Sequence, residues 1–176
     1  MKRITLLLLS ITSVLFCSCN LDSDNETPII EKITIDDITL PKGFVISKLY
    51  EPTDQEQGSW VSITKDDKGH FYASDQYGSI YKSRIIKSGE KEVLDVQKLD
   101  VNVDLAQGLL YHNNELFALV NSNDKKIQSG LYKFIDSTGD GALDMVKTLK
   151  NVKGNGRNGQ HNIVLAPEDQ SMYGLF

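Results

Sequence analysis

A sentence-like pattern recurs along this chain, and it limits the fold more than any single motif does. The first occurrence runs "SWVSIT", the turn "KDDKG", "HFYASD", the turn "QYG", then "SIYKSRII". The second is "AQGLLYHNNELFALVNSN" followed by "SGLYKFID", and the third begins with "GQHNIVLAPEDQSMYGLF". Apolar, β-branched and aromatic residues alternate within each segment, and Gly, Asp and Asn punctuate the gaps, which predicts short strands joined by hairpins. Val61, Ile63, Phe71, Ala73, Ile80 and Ile85 fit that alternation, and no long window carries a helical period. With Phe71, Phe117 and Tyr173 as landmarks, the copies lie 46 and 56 residues apart. A four-strand unit repeated every 40–50 residues or so is the spacing of a β-propeller blade.

The expected fold is therefore all-β: an incomplete β-propeller of about two and a half four-stranded blades. Propellers close with roughly four to eight blades, so about 130 residues of blade sequence predict a fragment of a longer protein. A ring completed by other copies and a small sandwich are the alternatives. The bulk numbers agree with a globular domain: 40% hydrophobic and 24% charged. A net charge of -5, with no basic cluster, argues against nucleic acid as a partner.

The N-terminus reads differently. Lys2 and Arg3 precede "ITLLLLSITSVLF", an apolar run too short to span a bilayer comfortably, and small residues follow it. Phe16-Cys17-Ser18-Cys19 resembles a bacterial lipoprotein signal, with Ser18 before a lipidated Cys19. This predicts a signal peptide over 1–18, a lipidated acidic tether over 19–39 and a partial propeller over 40–176. The location would be the bacterial cell envelope, with the membrane as partner through the lipid anchor. The alternative is an ordinary secretory peptide. A mature chain beginning at Cys19 has no second cysteine for a disulfide.

Three stretches invite chemical readings. Gly154-x-Gly156-x-x-Gly159 matches a dinucleotide fingerprint, but a strand-like "HNIVLAP" follows where a helix is required. The run instead links the outer strand of one blade to the inner strand of the next, where propellers place their sites. In "DSTGDGALD", Asp136, Asp140 and Asp144 are calcium candidates, although Lys147 stands where the bidentate acid belongs. A polar hairpin explains the same residues. Trp60 and the "DQYG" of Asp75 to Gly78 could border a sugar site, but burial between blades is the preferred reading for the sole tryptophan. Tyr72, Tyr81 and Tyr132 are expected in the core, and His70 and His112 on surface turns.

Five segments in order, from "LPKGFVISKLY" and "QGSWVSITKDDKGHFYASDQYGSIYK" through "AQGLLYHNNELFALVN" and "SGLYKFIDSTGDGALD" to "GQHNIVLAPEDQSMYG", carry a resemblance. Together they resemble the N-terminal part of a secreted, membrane-bound-dehydrogenase-type (haem-binding) propeller family, related to quinoprotein glucose and sorbosone dehydrogenases. The resemblance covers Pro41 to Phe176. It implies oxidation of a sugar or polyol, pyrroloquinoline quinone (PQQ) and calcium as cofactors, and an electron-acceptor protein as partner. The family run Glu-His-Gly-Pro-His corresponds to Arg157-Asn158-Gly159-Gln160-His161. Asn158 therefore stands at the family's general-base position, and His161 is the one imidazole kept. The family's quinone and calcium ligands fall in later blades. The expected chain is inactive by itself, and the alternative is a non-enzymatic surface lipoprotein that binds glycan or protein.

Overall fold

The computed structural model describes residues 32–35, 37–52, 57–103, 105–122, 126–154, 159–167 and 171–175. The segment expected to be a signal peptide, Cys19, Arg157 and Asn158 lie outside the described residues. Two compact units are present, Met1–Ile46 and Ser47–Phe176. In the first, β1 (Lys32–Ile35) and β2 (Ile38–Pro41) form an antiparallel hairpin, with Asp37 at φ 65° in its turn. The hairpin lies partly within the span assigned to the tether.

The second unit is built from antiparallel meanders, with no helix among the described residues. Sheet 1 contains β3 (Trp60–Lys65), β4 (Phe71–Asp75), β5 (Ile80–Ser88) and β6 (Lys91–Lys98), in sequential order. Sheet 2 repeats the plan with β7 (Ala106–His112), β8 (Glu115–Val120), β9 (Gly130–Ile135) and β10 (Met145–Asn151). A two-stranded third sheet follows, made of β11 (Asn162–Leu165) and β12 (Met172–Leu175). The first strands of successive sheets pack together, β3 against β7 and β7 against β11.

The strand register makes the repeat explicit. Ile63 pairs with Ala73, Leu109 with Ala118, and Ile163 with Gly174. Tyr81 and Tyr132 stand opposite the two alanines from the third strands. A β-bulge breaks the first ladder at the same place in both sheets, between Trp60 and Ser62 and between Ala106 and Gly108. One landmark needs correction: Tyr72, rather than Phe71, is the equivalent of Phe117 and Tyr173. The connection from Tyr111 to Leu116 is one residue shorter than that from Lys65 to Phe71, so counting from the strand starts slips by one. The shorter connection is a two-residue turn in which Asn113 and Asn114 both have positive φ, 50° and 61°. Asparagine tolerates that region, and its twist matches the flanking strands.

The largest core lies between sheets 1 and 2. Tyr72 and Ile80 meet Leu109, Leu116, Ala118 and Phe134 there. The alternation in β3 runs opposite to the expected sense: Ser62 and Thr64 face sheet 2, while Val61 and Ile63 face out. The Leu109 amide donates to the Ser62 hydroxyl at 2.9 Å, and the Tyr111 amide donates to the Thr64 hydroxyl at 3.0 Å. Polar side chains are favoured on this face because they satisfy amides on the edge of β7 that have no ladder partner. Of the six apolar positions expected to alternate together, Ala73 and Ile80 are buried, Phe71 is half-buried, and Val61, Ile63 and Ile85 are exposed. Between β7 and β11 the backbones also approach closely. A Cβ on Gly108 would lie 3.1 Å from the Asn162 Cα, so a glycine permits the approach.

Candidate functional site

Gly154 and Gly159, the described ends of the glycine-rich run, lie at one end of sheet 2, beside Asn121 and Ser129. Asn121, Ser122 and Ser129 are buried there, and the Ser129 hydroxyl bridges the Ser122 amide (2.9 Å) and carbonyl (3.0 Å). A Cβ on Gly154 would collide with the Ser129 side chain, and one on Gly159 would lie 2.6 Å from the Asn121 Oδ1. Close packing explains these two glycines without a nucleotide. Gln160 is buried beside them and donates from Nε2 to the Lys153 carbonyl at 2.7 Å. His161 is exposed, and its Nε2 accepts the Gly159 amide at 3.3 Å, so the ring folds back on its own loop.

Asp75 and Trp60 occupy the corresponding end of sheet 1. Asp75 is fully buried. Its Oδ1 accepts the amides of Tyr77, Gly78 and Ser79, and its Oδ2 accepts the Gly58 amide and the Tyr81 hydroxyl. A carboxylate with five donors holds the turn together and has little capacity left for a sugar. Trp60 is stacked between Tyr50 and Tyr81, at 5.3 and 6.2 Å, with both ring faces occupied. Tyr72, Tyr81 and Tyr132 are buried.

The calcium candidates sit in the β9–β10 connection. Asp136 accepts the amides of Gly139 and Gly141, Asp140 accepts that of Ala142, and Asp144 accepts the amide and hydroxyl of Ser137. The Gly141 amide bond leads in holding the Asp136 carboxyl below its ordinary range, and the Ser137 hydroxyl does the same for Asp144. Among the described residues, no three of His, Cys, Asp and Glu gather as a metal site.

A different cluster does assemble, at the opposite end of sheets 1 and 2. The turns β3–β4, β7–β8 and β9–β10 converge there around a cleft of about 340 Å³. Asp66 closes the first turn: its Oδ1 accepts the Lys68 and His70 amides, and its Oδ2 meets His70 Nδ1 at 2.8 Å. Burial pushes the Asp66 carboxyl up, but the His70 ring and the two amides outweigh it and leave the group below the usual range. Tyr72 and Tyr111 stack at 5.7 Å and 7° across the sheet interface. Burial, reinforced by the Asp66 charge, raises both phenols, so they remain neutral hydrogen-bond donors at physiological pH. Lys82 reaches over the Tyr72 ring and donates to the Gly141 carbonyl at 2.9 Å, which ties the β9–β10 turn to sheet 1. Asn114, Asp136 and Asp140 complete the rim.

His70 and His112 are not the surface residues expected from the sequence. The His70 ring is about three-quarters covered and ion-paired geometrically with Asp66, while His112 buries its Nε2 at the end of β7. The turn-closing role of Asp66 was readable from "KDDKG", since Asp bonds the amides two and four residues ahead. The meeting of that turn with Tyr111 depends on sheet packing and has no local signal. No family model, curated protein or solved structure matches the chain.

Proposed function

We propose that the chain is a lipid-anchored envelope protein whose meanders are propeller blades, and that it recognises a neutral saccharide or polyol without turning it over. The cleft between sheets 1 and 2 carries this reading. It combines a half-buried Tyr111 ring with alternating donors and acceptors: Asp66, His70, Lys82, Asn114 and Asp140. Charges of both signs surround it, Lys68 and Lys82 against Asp66, Asp136 and Asp140. Such a rim favours a neutral polyhydroxylated ligand over a strongly charged one, because hydroxyls satisfy donors and acceptors alike. The volume suits one sugar ring. The blade reading is supported by sequential four-stranded meanders packed through their first strands, with the bulge repeated in register.

Oxidation through a quinone, as the family resemblance implies, would require a base at position 158 or 161. Asn158 has no basic lone pair, and the exposed His161 is turned onto Gly159. Recognition without turnover is the reading adopted.

Calorimetric titration with a panel of neutral mono- and oligosaccharides tests it. Saturable binding is expected, with Tyr111→Ala and the rim variant Asn114→Ala each weakening it about tenfold, or ~1.4 kcal/mol. Circular dichroism confirms that both variants fold. Absence of binding across the panel, or binding untouched by both variants, refutes the proposal.

A further inference from the structure

The cleft does not end at His70 and Lys82. Both residues also line a second recess, of about 210 Å³, together with Ser83, Arg84, Asp95 and Gln97. The strand register explains the grouping. Lys82 and Arg84 are two residues apart on β5 and share one of its faces, and Gln97 and Asp95 stand opposite them on β6. Tyr72 stands opposite Lys82 on β4, so this is the face of sheet 1 that carries the cleft. His70 precedes Phe71, the partner of Ser83, and so falls level with Arg84.

Charge separates the two spaces. Around the cleft Asp66, Asp136 and Asp140 outnumber Lys68 and Lys82, whereas around the recess Lys82 and Arg84 outnumber Asp95. Bonding capacity is also left over in the recess. The Arg84 Nε lies 3.8 Å from the Asp95 Oδ2, beyond hydrogen-bond reach, and both side chains are well exposed. Among the described residues the guanidinium has no other polar partner, which leaves its planar fork open. Lys82 spends one of three donors on the Gly141 carbonyl. The ionised Asp66 carboxylate can only accept, so in the neutral His70 ring the hydrogen sits on Nδ1 and Nε2 offers a lone pair.

We infer that the recess is an oxyanion subsite, taking the carboxylate or sulfate ester of an acidic sugar whose ring lies in the cleft. The Arg84 fork matches two oxygens of such a group, and Lys82 adds charge beside it. His70 lies at the boundary and accepts a ring hydroxyl. The three carboxylates of the cleft disfavour the reversed orientation, which would carry the ligand's charge toward them. The neutral ring thus keeps the cleft, and the single charge falls outside it. The inference rests on the saccharide reading for the ring; the oxyanion contact stands on the recess alone.

The test is calorimetric titration of the full chain in a mild, uncharged detergent without a sugar head group. Methyl glucoside, methyl glucuronide and methyl glucoside 6-sulfate are compared, with inorganic sulfate as a fourth ligand. At low salt at least one acidic sugar is expected to bind about tenfold tighter than the glucoside, and the tighter of the two identifies the oxyanion. Arg84→Gln, at an exposed position and checked by circular dichroism, is expected to abolish that preference while glucoside affinity stays within about twofold. Asp95→Asn is expected to widen it. Acidic sugars that bind no tighter than the glucoside, or a preference that survives Arg84→Gln or fails to widen in Asp95→Asn, would overturn the inference and leave the cleft reading standing. Sulfate bound through Arg84 with no sugar bound at all would instead refute the cleft reading, and the sugar assignment with it.

Discussion

Removing the Asp75 carboxylate should destabilise the second unit more than any other single polar deletion in sheet 1. In Asp75→Ala, five donors lose their acceptor. The amides of Tyr77 and Ser79 are partly exposed and can turn to water, and the Gly78 amide keeps the Asp75 main-chain carbonyl at 3.1 Å. The Gly58 amide and the Tyr81 hydroxyl remain, both bonded in buried surroundings. A buried donor left unpaired costs about 1–3 kcal/mol, which puts the loss at about 2–6 kcal/mol, a large share of a typical 5–15. Asp75→Asn should cost roughly half as much. Its oxygen still serves the turn, and the Tyr81 hydroxyl can rotate to accept from the new amide group, but the Gly58 N–H then faces a donor. Tyr81→Phe removes one bond and should cost about 1 kcal/mol. Equilibrium urea denaturation followed by Trp60 fluorescence measures all three, because the sole tryptophan stacks on Tyr81. The reasoning fails if Asp75→Ala costs no more than Tyr81→Phe at an unchanged denaturant slope.

Two further outcomes follow from the turns. Gly159→Ala should lower the thermal midpoint, with a cost of about 1–3 kcal/mol, because the new Cβ meets the buried Asn121 amide; an unchanged midpoint would mean that the run has slack. The Asp66, Asp136 and Asp144 carboxyls are all held below their ordinary values in the folded chain. Their stabilisation is present above the unfolded value near pH 4 and is lost as pH falls through the lower folded values. A midpoint that declines below about pH 4, with a shallower decline in Asp66→Asn, is expected; a flat profile down to about pH 2.5 refutes it.

The site was less legible than the fold, for a physical reason. Hairpin turns announce themselves locally: Asp66 closes its own loop, Asn113 and Asn114 supply the left-handed pair, and Asp136 and Asp144 accept the amides of Gly139 and Ser137 within their own turn. What a turn meets depends on the sheet beside it. His70 looked like a turn residue and is one, yet its ring is covered and held by Asp66 in a cleft shared with sheet 2. His161 drew attention by its place before an inner strand, but the bond from Gly159 directs it back to its own loop. Gly154 and Gly159 likewise had a readable pattern and an unreadable cause: the side chains of Asn121 and Ser129, some 25 to 38 residues earlier, occupy the space where their Cβ atoms would be.

The repeat itself was legible because spacing survives translation into register, apart from the single residue lost in the Asn113–Asn114 turn. Which face of each strand is buried did not survive in the same way. Alternation shows that Val61, Ser62, Ile63 and Thr64 belong to opposite faces, and hydrophobicity alone assigns the aliphatic face to the core. In β3 the core side is nevertheless the hydroxyl side, because the neighbouring first strand presents amides that only a side chain can reach. The aliphatic side is left the more exposed one, with Val61 at 43% and Ile63 at 60%. The exposure of Ile63 itself follows from a strand whose hydroxyl side is the one spent on its neighbour. The equivalent strand β7 shows the same position buried once the preceding sheet is in place.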